Sequence, residues 1–165
     1  MNALGLGWSQ WADIDTPAGV DSPGVYLVRV AHGGKAMPVQ RFLNFDPLGV
    51  INIGCTTSIE QRRRQFVAGR DTCNGHSCAN LLWYMRSYCR TSSLERGLRL
   101  QFVFAAAATK TAAEETENRL IKSYYKRHGE VPPLNSAIPD RYDERGAVWS
   151  SVPEWPELLP SEWWQ

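Results

Sequence analysis

The sequence predicts an α+β fold, a small central antiparallel β-sheet flanked by helices, with Trp- and Pro-rich extensions at both ends. Three observations carry that expectation. Short runs of β-favouring residues bounded by Gly, Pro and Asp turns fill the first third of the chain. Amphipathic helical stretches follow, one of them long and well punctuated. The length of 165 residues suits a single domain, in which roughly 70% of the unfolded surface can be buried.

Taken in order, residues 1–23 carry Trp8, Trp11, Pro17 and Pro23 with little periodicity and read as an extension packed on the core. Gly24 to Val30 is a strand of Val25, Tyr26, Leu27, Val28 and Val30, and Ala31 to Ala36, with Gly33 and Gly34, is a turn. Val39 to Phe45 and Gly49 to Ile53 are further strands, separated by the turn Asp46-Pro47-Leu48-Gly49. A helix begins near Ser58, which has Gln61 three residues on, with Thr57 and Glu60 an equally good box, and ends around Gly69. Asn80 to Arg90 is a second amphipathic helix, Leu98 to Ala107 a central strand, and Thr111 to His128 a third helix stopped by Gly129 and Pro132-Pro133. The core is placed at residues 24–135. Residues 136–165 read as irregular chain wrapping it through Trp149, Trp155, Trp163 and Trp164.

A chain that is 43% hydrophobic and 21% charged is too apolar to be disordered. It has no apolar run approaching the ~18 residues of a membrane span. The first residues, interrupted by Trp8, Ser9 and Asp13, lack the pattern of a signal peptide, so a cytoplasmic protein is expected. Cys55, Cys73, Cys78 and Cys89 are too scattered for a disulfide framework; Cys73 and Cys78 flank His76, but no second ligand pair at zinc-site spacing follows. The net charge of +1 conceals a division. Eight arginines between Arg62 and Arg99 face only Asp71 and Glu95, whereas six carboxylates from Asp140 onward face only Arg141 and Arg145. An arginine-rich middle is compatible with phosphate binding, and equally with solvated helix faces.

Two charged residues interrupt apolar helix stripes. From Ser58 onward, Ile59, Arg62, Arg63, Phe66 and Val67 share a stripe, from which Arg62 projects. An arginine there needs an anion: a phosphate, which the planar guanidinium fork suits, or an internal carboxylate, unless the side chain snorkels to water. Glu117 shares its stripe with Ala113, Leu120, Ile121 and Tyr124, while Glu115 aligns with Arg119 and Lys122 on the polar face. A carboxylate so placed is costly unless it is protonated, paired or bound to a cation, and a hard divalent ion can be held by one carboxylate plus water and phosphate oxygens. A salt bridge to Arg62 is the competing explanation. His76, taken alone, reads as a surface or structural histidine.

In order, Gly24-Val25-Tyr26, Asn52-Ile53-Gly54, Arg62 eight residues later, Glu117 heading Glu117-Asn118-Arg119-Leu120-Ile121-Lys122, and Pro133-Leu134-Asn135 resemble the GIY-YIG nuclease family over about two thirds of the chain. The wide separation of the two tripeptides and the stretch His76-Ser77-Cys78-Ala79-Asn80 are similar to the restriction-endonuclease branch. The resemblance implies metal-dependent hydrolysis of phosphodiester bonds, with double-stranded DNA as the substrate. It implies Mg²⁺ (or Mn²⁺) on Glu117, charge neutralisation by Arg62, a water-side role for Tyr26 with His76 as candidate proton acceptor, and bracing by Asn135. Arg63, Arg64, Arg70 and Arg86 are the candidate contacts to backbone phosphates. Two positions depart from the family pattern. Asn52 replaces the second tyrosine, and Phe66 replaces a histidine one turn after the arginine. An amide cannot act as a base, so a catalytically degenerate DNA- or protein-binding module is the alternative expectation, and single strands or RNA a third. The terminal extensions could form a homodimer interface or cap the core.

Overall fold

The computed structural model describes residues 4–88, 97–138 and 152–164. Trp149 and the expected end of the second helix at residues 89 and 90 lie outside them. The elements are β1 (Ala12–Asp13), β2 (Gly24–His32), β3 (Lys35–Ala36), β4 (Val39–Gln40), β5 (Phe45–Asp46), β6 (Val50–Thr56), α1 (Ile59–Thr72), α2 (Ser77–Tyr88), β7 (Leu98–Ala106) and α3 (Lys110–His128), followed by two 3₁₀ turns at Trp155–Leu158 and Ser161–Trp164. The fold is α+β. All pairings are antiparallel, with β7 between β1 and β2, and with β6 and β3 sharing the other edge of β2.

β2 is the spine of the sheet, and both of its faces are covered. Val25 and Leu27 pack with Ile53, Val103, Leu120, Ile121 and Tyr124 on the side of α3. Tyr26 and Val28 pack with Ile59, Phe66, Ala79 and Phe102 on the side of α1 and α2. That double burial is why the strand reads as a continuous apolar run instead of an alternating one. Trp155, Leu158 and Leu159 enter the α3-side core, at about 1.5–3 kcal/mol for each large side chain removed from water. The N-terminal segment adds β1 to the sheet edge, and Trp8 and Trp11 pack against Trp163. No helix among the described residues is long and apolar enough to cross a membrane.

Several element boundaries differ from expectation for local reasons. The expected turn over Ala31 to Ala36 shrinks to Gly33 and Gly34, both at positive φ, because β2 runs on and pairs with β3. The expected strand Val39–Phe45 breaks into β4 and β5, a separate two-residue hairpin. Its middle is held by other bonds: Arg41 N–H donates to Asn44 O, Asn44 Nδ2 to Arg127 O, and Leu43 N–H to His128 O. The first helix is capped by Ser58, whose hydroxyl accepts from Gln61 N–H; Glu60 instead receives Ala18 N–H. It continues past Gly69 to a left-handed cap at Cys73. α2 starts three residues before Asn80, because His76 O accepts from the N–H groups of Ala79 and Asn80.

Candidate active site

The β2–β6 register sets Tyr26 opposite Gly54. The phenol lies across that glycine so closely that a methyl group on Gly54 would overlap it. Tyr26 is 1% exposed, and its hydroxyl meets His76 Nε2 at 3.2 Å. His76 arrives from the turn between α1 and α2, where its N–H donates to Gln65 O. The helices close at Gly69, where an added Cβ would sit 2.8 Å from Ala79 Cβ. The imidazole packs on Phe66, with centroids 5.5 Å apart. Phe66 thus supplies the apolar platform for a histidine delivered by another element.

Burial pulls the His76 pKa down to about 4, with the nearby Arg62 charge adding to the effect, so the ring is neutral at pH 7. Burial also drives the Tyr26 phenol well above its ordinary value, opposed by Arg62. The phenol therefore keeps its proton.

Arg62 is half-buried on α1, and its guanidinium makes no hydrogen bond or ion pair with any described residue; its Nε is sealed from water without a partner. Its charge acts on Tyr26, His76, Cys55, Cys78 and Glu117 together. The internal salt bridge to Glu117 that the sequence allowed does not form. An unpaired guanidinium in a partly desolvated setting favours an anionic ligand.

Glu117 reaches from α3 to the outer edge of β6, where one carboxylate oxygen accepts Cys55 N–H at 3.2 Å. Burial raises its pKa, and Cys55 and Arg62 act against that rise. One residue pair inward, Asn135 continues the cover: its Oδ1 accepts Ile53 N–H at 2.9 Å, its Nδ2 donates to Ile53 O at 2.8 Å, and Asn52 Nδ2 donates to it at 3.3 Å. Asn52 is buried, and its Oδ1 has no hydrogen-bond partner among the described residues. A carboxylate has about four lone-pair directions, so the one backbone donor leaves room for a hard cation completed by water and phosphate oxygens. The donor chemistry of Glu117 fits such an ion.

Tyr26, His76, Arg62, Glu117 and Asn135 therefore collect around one stretch of β6, although they come from three elements and two loops. The arginines divide differently. Arg63, at 7% exposure, donates to Ile14 O and is paired with Glu60, so it is a core residue and not a surface phosphate contact. Both Arg62 and Arg63 fit the stripe in sequence, and Glu60, three residues before Arg63, decides which turns inward. Arg70 is held by Asp15 and Asp71. Arg64, with a 73% exposed side chain, pairs with Glu60, and Arg86 lies 3.7 Å from Asp71. Arg64 and Arg86 remain open to solvent. Cys55 was missed as a site residue; the signal for it was strand alternation, which turns residue 55 away from Tyr26 and toward α3 if residue 54 faces the phenol. A cavity of about 650 Å³ is lined by Val30, Arg70, Leu82, Met85, Arg86 and Arg99 and by none of Tyr26, Arg62, His76 and Glu117.

Comparison of the chain with family models, curated proteins and solved structures finds no match in any of the three.

Proposed function

We propose that this chain is a metal-dependent endonuclease that hydrolyses phosphodiester bonds in double-stranded DNA in the cytoplasm, with a site of the GIY-YIG kind. The observation that carries the reading is the convergence on one sheet edge of a phenol–imidazole pair, an unpaired guanidinium and a carboxylate, drawn from residues 26, 76, 62 and 117.

Arg62 binds the scissile phosphate and offsets the charge that builds on its oxygens. Tyr26 faces the attacking water. Because its phenol stays protonated, it cannot serve alone as the base; with the His76 proton on Nδ1, Nε2 accepts the phenol proton while Tyr26 takes one from water. A Mg²⁺ or Mn²⁺ ion on Glu117 would supply Lewis-acid stabilisation on the phosphate and leaving-group side. Asn135 holds β6 in place, and Arg64 and Arg86 are the candidates for backbone phosphates.

A binding module without turnover is the second reading, favoured by two observations. Asn52 stands where a second phenol is expected, and Tyr26 is nearly sealed from solvent. Incubation of plasmid and phage DNA with Mg²⁺, Mn²⁺ or EDTA separates the two. The endonuclease predicts metal-dependent cutting that Arg62→Ala and Glu117→Ala each reduce by about 10²–10³-fold while folding is kept. Salt-sensitive DNA binding with no cutting under any metal would establish the binding module instead.

A further inference from the structure

α2 draws away from the sheet as it runs. Ala79, in its first turn, is the one buried residue of the helix, whereas Leu81, Tyr84, Met85 and Tyr88 stand 48–75% exposed. Beneath its far half, the sheet face that carries Tyr26 and Val28 continues as Val30 and Leu100, register partners on β2 and β7 that are only partly buried. The space left between helix and sheet is the cavity of about 650 Å³, a volume within the range of small-molecule sites. Val30, Leu98 and Leu100 form its floor, and Leu82 and Met85 its opposite wall. Two facing apolar walls suit a flat body.

The charged lining is three arginines against two aspartates. Arg70 already engages both of those aspartates, Asp15 at 2.8 Å and Asp71 at 2.7 Å. Arg99 is matched by neither. It is exposed, and the one hydrogen bond its guanidinium makes among the described residues runs from Nη1 to the carbonyl of the preceding Leu98 at 3.1 Å. A guanidinium keeps its charge at any ordinary pH and offers phosphate oxygens a planar fork. We propose that this cavity binds a nucleotide, its base lying between the sheet floor and α2 and its 5′-phosphate on Arg99. Because none of Tyr26, Arg62, His76 and Glu117 lines the cavity, the site stands apart from the endonuclease reading.

The test is calorimetric titration of the full chain, in EDTA, with dTMP, thymidine, inorganic phosphate and 5′-phosphorylated tetrathymidylate. It is repeated on Arg99→Ala, Met85→Glu and Arg62→Ala, each checked for folding by thermal unfolding. Residues 85 and 99 are both exposed, so neither change disturbs the core. Wild type is expected to bind dTMP with a Kd below about 1 mM, and thymidine and phosphate at least about tenfold more weakly. Arg99→Ala should weaken dTMP binding by about 10–100-fold. Met85→Glu, which sets a carboxylate in the helix wall, should weaken it by a similar factor, and Arg62→Ala should leave it unchanged. The tetranucleotide separates two sources of the same chemistry: binding as tight as that of dTMP assigns the cavity to a strand end, and binding of dTMP alone assigns it to a free mononucleotide. Three results overturn the assignment: no dTMP binding at about 1 mM, phosphate binding as tightly as dTMP, or a loss in Arg62→Ala with none in Arg99→Ala. Each of them leaves the endonuclease reading standing.

Discussion

The molecule contains the same four side-chain types, a tyrosine, a carboxylate, an arginine and a histidine, in two places, and treats them in opposite ways. Around Asp46 the set is closed. That carboxylate is 0% exposed, accepts the N–H groups of Leu48 and Val50 and receives the Tyr124 hydroxyl. Arg41 has its own anion in Glu130 and also donates to Val131 O, and His128 Nδ1 meets Asn44. Around Glu117 the phenol bonds the imidazole instead of the carboxylate, and Arg62 has no anion among the described residues. Each set leaves an arginine Nε and one imidazole nitrogen without a partner. What separates them is whether the arginine's charge is matched from within. A closed set stabilises the fold; an open set leaves a charge for something else to match.

The contrast can be broken most forcefully at the two carboxylates. Asp46→Ala strands three buried donors and is expected to lower stability by about 3 kcal/mol or more, with cleavage per folded molecule unchanged. Glu117→Ala loses one backbone bond and should cost about 1–2 kcal/mol, with cleavage falling by about 10²–10³-fold. Urea titrations beside cleavage rates check both, and equal stability losses would remove the distinction.

A smaller effect is expected at Gly54. Gly54→Ala forces a methyl into the Tyr26 phenol and should cost about 1–3 kcal/mol as overpacking. Because the phenol moves off His76, cleavage should fall by more than the stability loss explains. A near-normal rate would show that Tyr26 does not act through its present position.

The smallest effect is a pH dependence. His76 and His128 are both pulled down to about 4, chiefly by burial. Between about 6.5 and 4 the unfolded chain binds protons that the folded chain refuses, so stability falls as pH drops through that window. His76→Gln should flatten this slope at little cost to stability at pH 7. In the metal-free protein burial raises the Glu117 pKa, so protons should weaken Mn²⁺ binding at a higher pH than for an ordinary glutamate. A stability slope left unchanged by His76→Gln would argue against a buried neutral imidazole.

Much of the fold was legible because its signals are local. The β2 run, the Ser58 cap, the α3 stripe and its Gly129 stop all depend on neighbours within a few residues, and each stands close to where the sequence places it. Val39 to Phe45 was not legible, because the bonds that break that strand run to the end of α3, more than eighty residues away. The same limit applies to the site. Arg62 and Glu117 stand out from their own helices, but the choice between Arg62 and Arg63 depends on Ile14 O and Glu60. The pairing of His76 with Tyr26 spans fifty residues and follows from how tightly α1 and α2 close at Gly69.

Among the described residues β6 has one flank without a neighbouring strand, and unpaired strand edges are where proteins stick to one another. Here Asn135 and Glu117 occupy the outward N–H groups of Ile53 and Cys55. The side chains assigned to catalysis are also the ones that keep the strand from recruiting another chain. Variants that inactivate the protein at either position therefore carry a solubility hazard, and a loss of yield there should be expected alongside a loss of turnover.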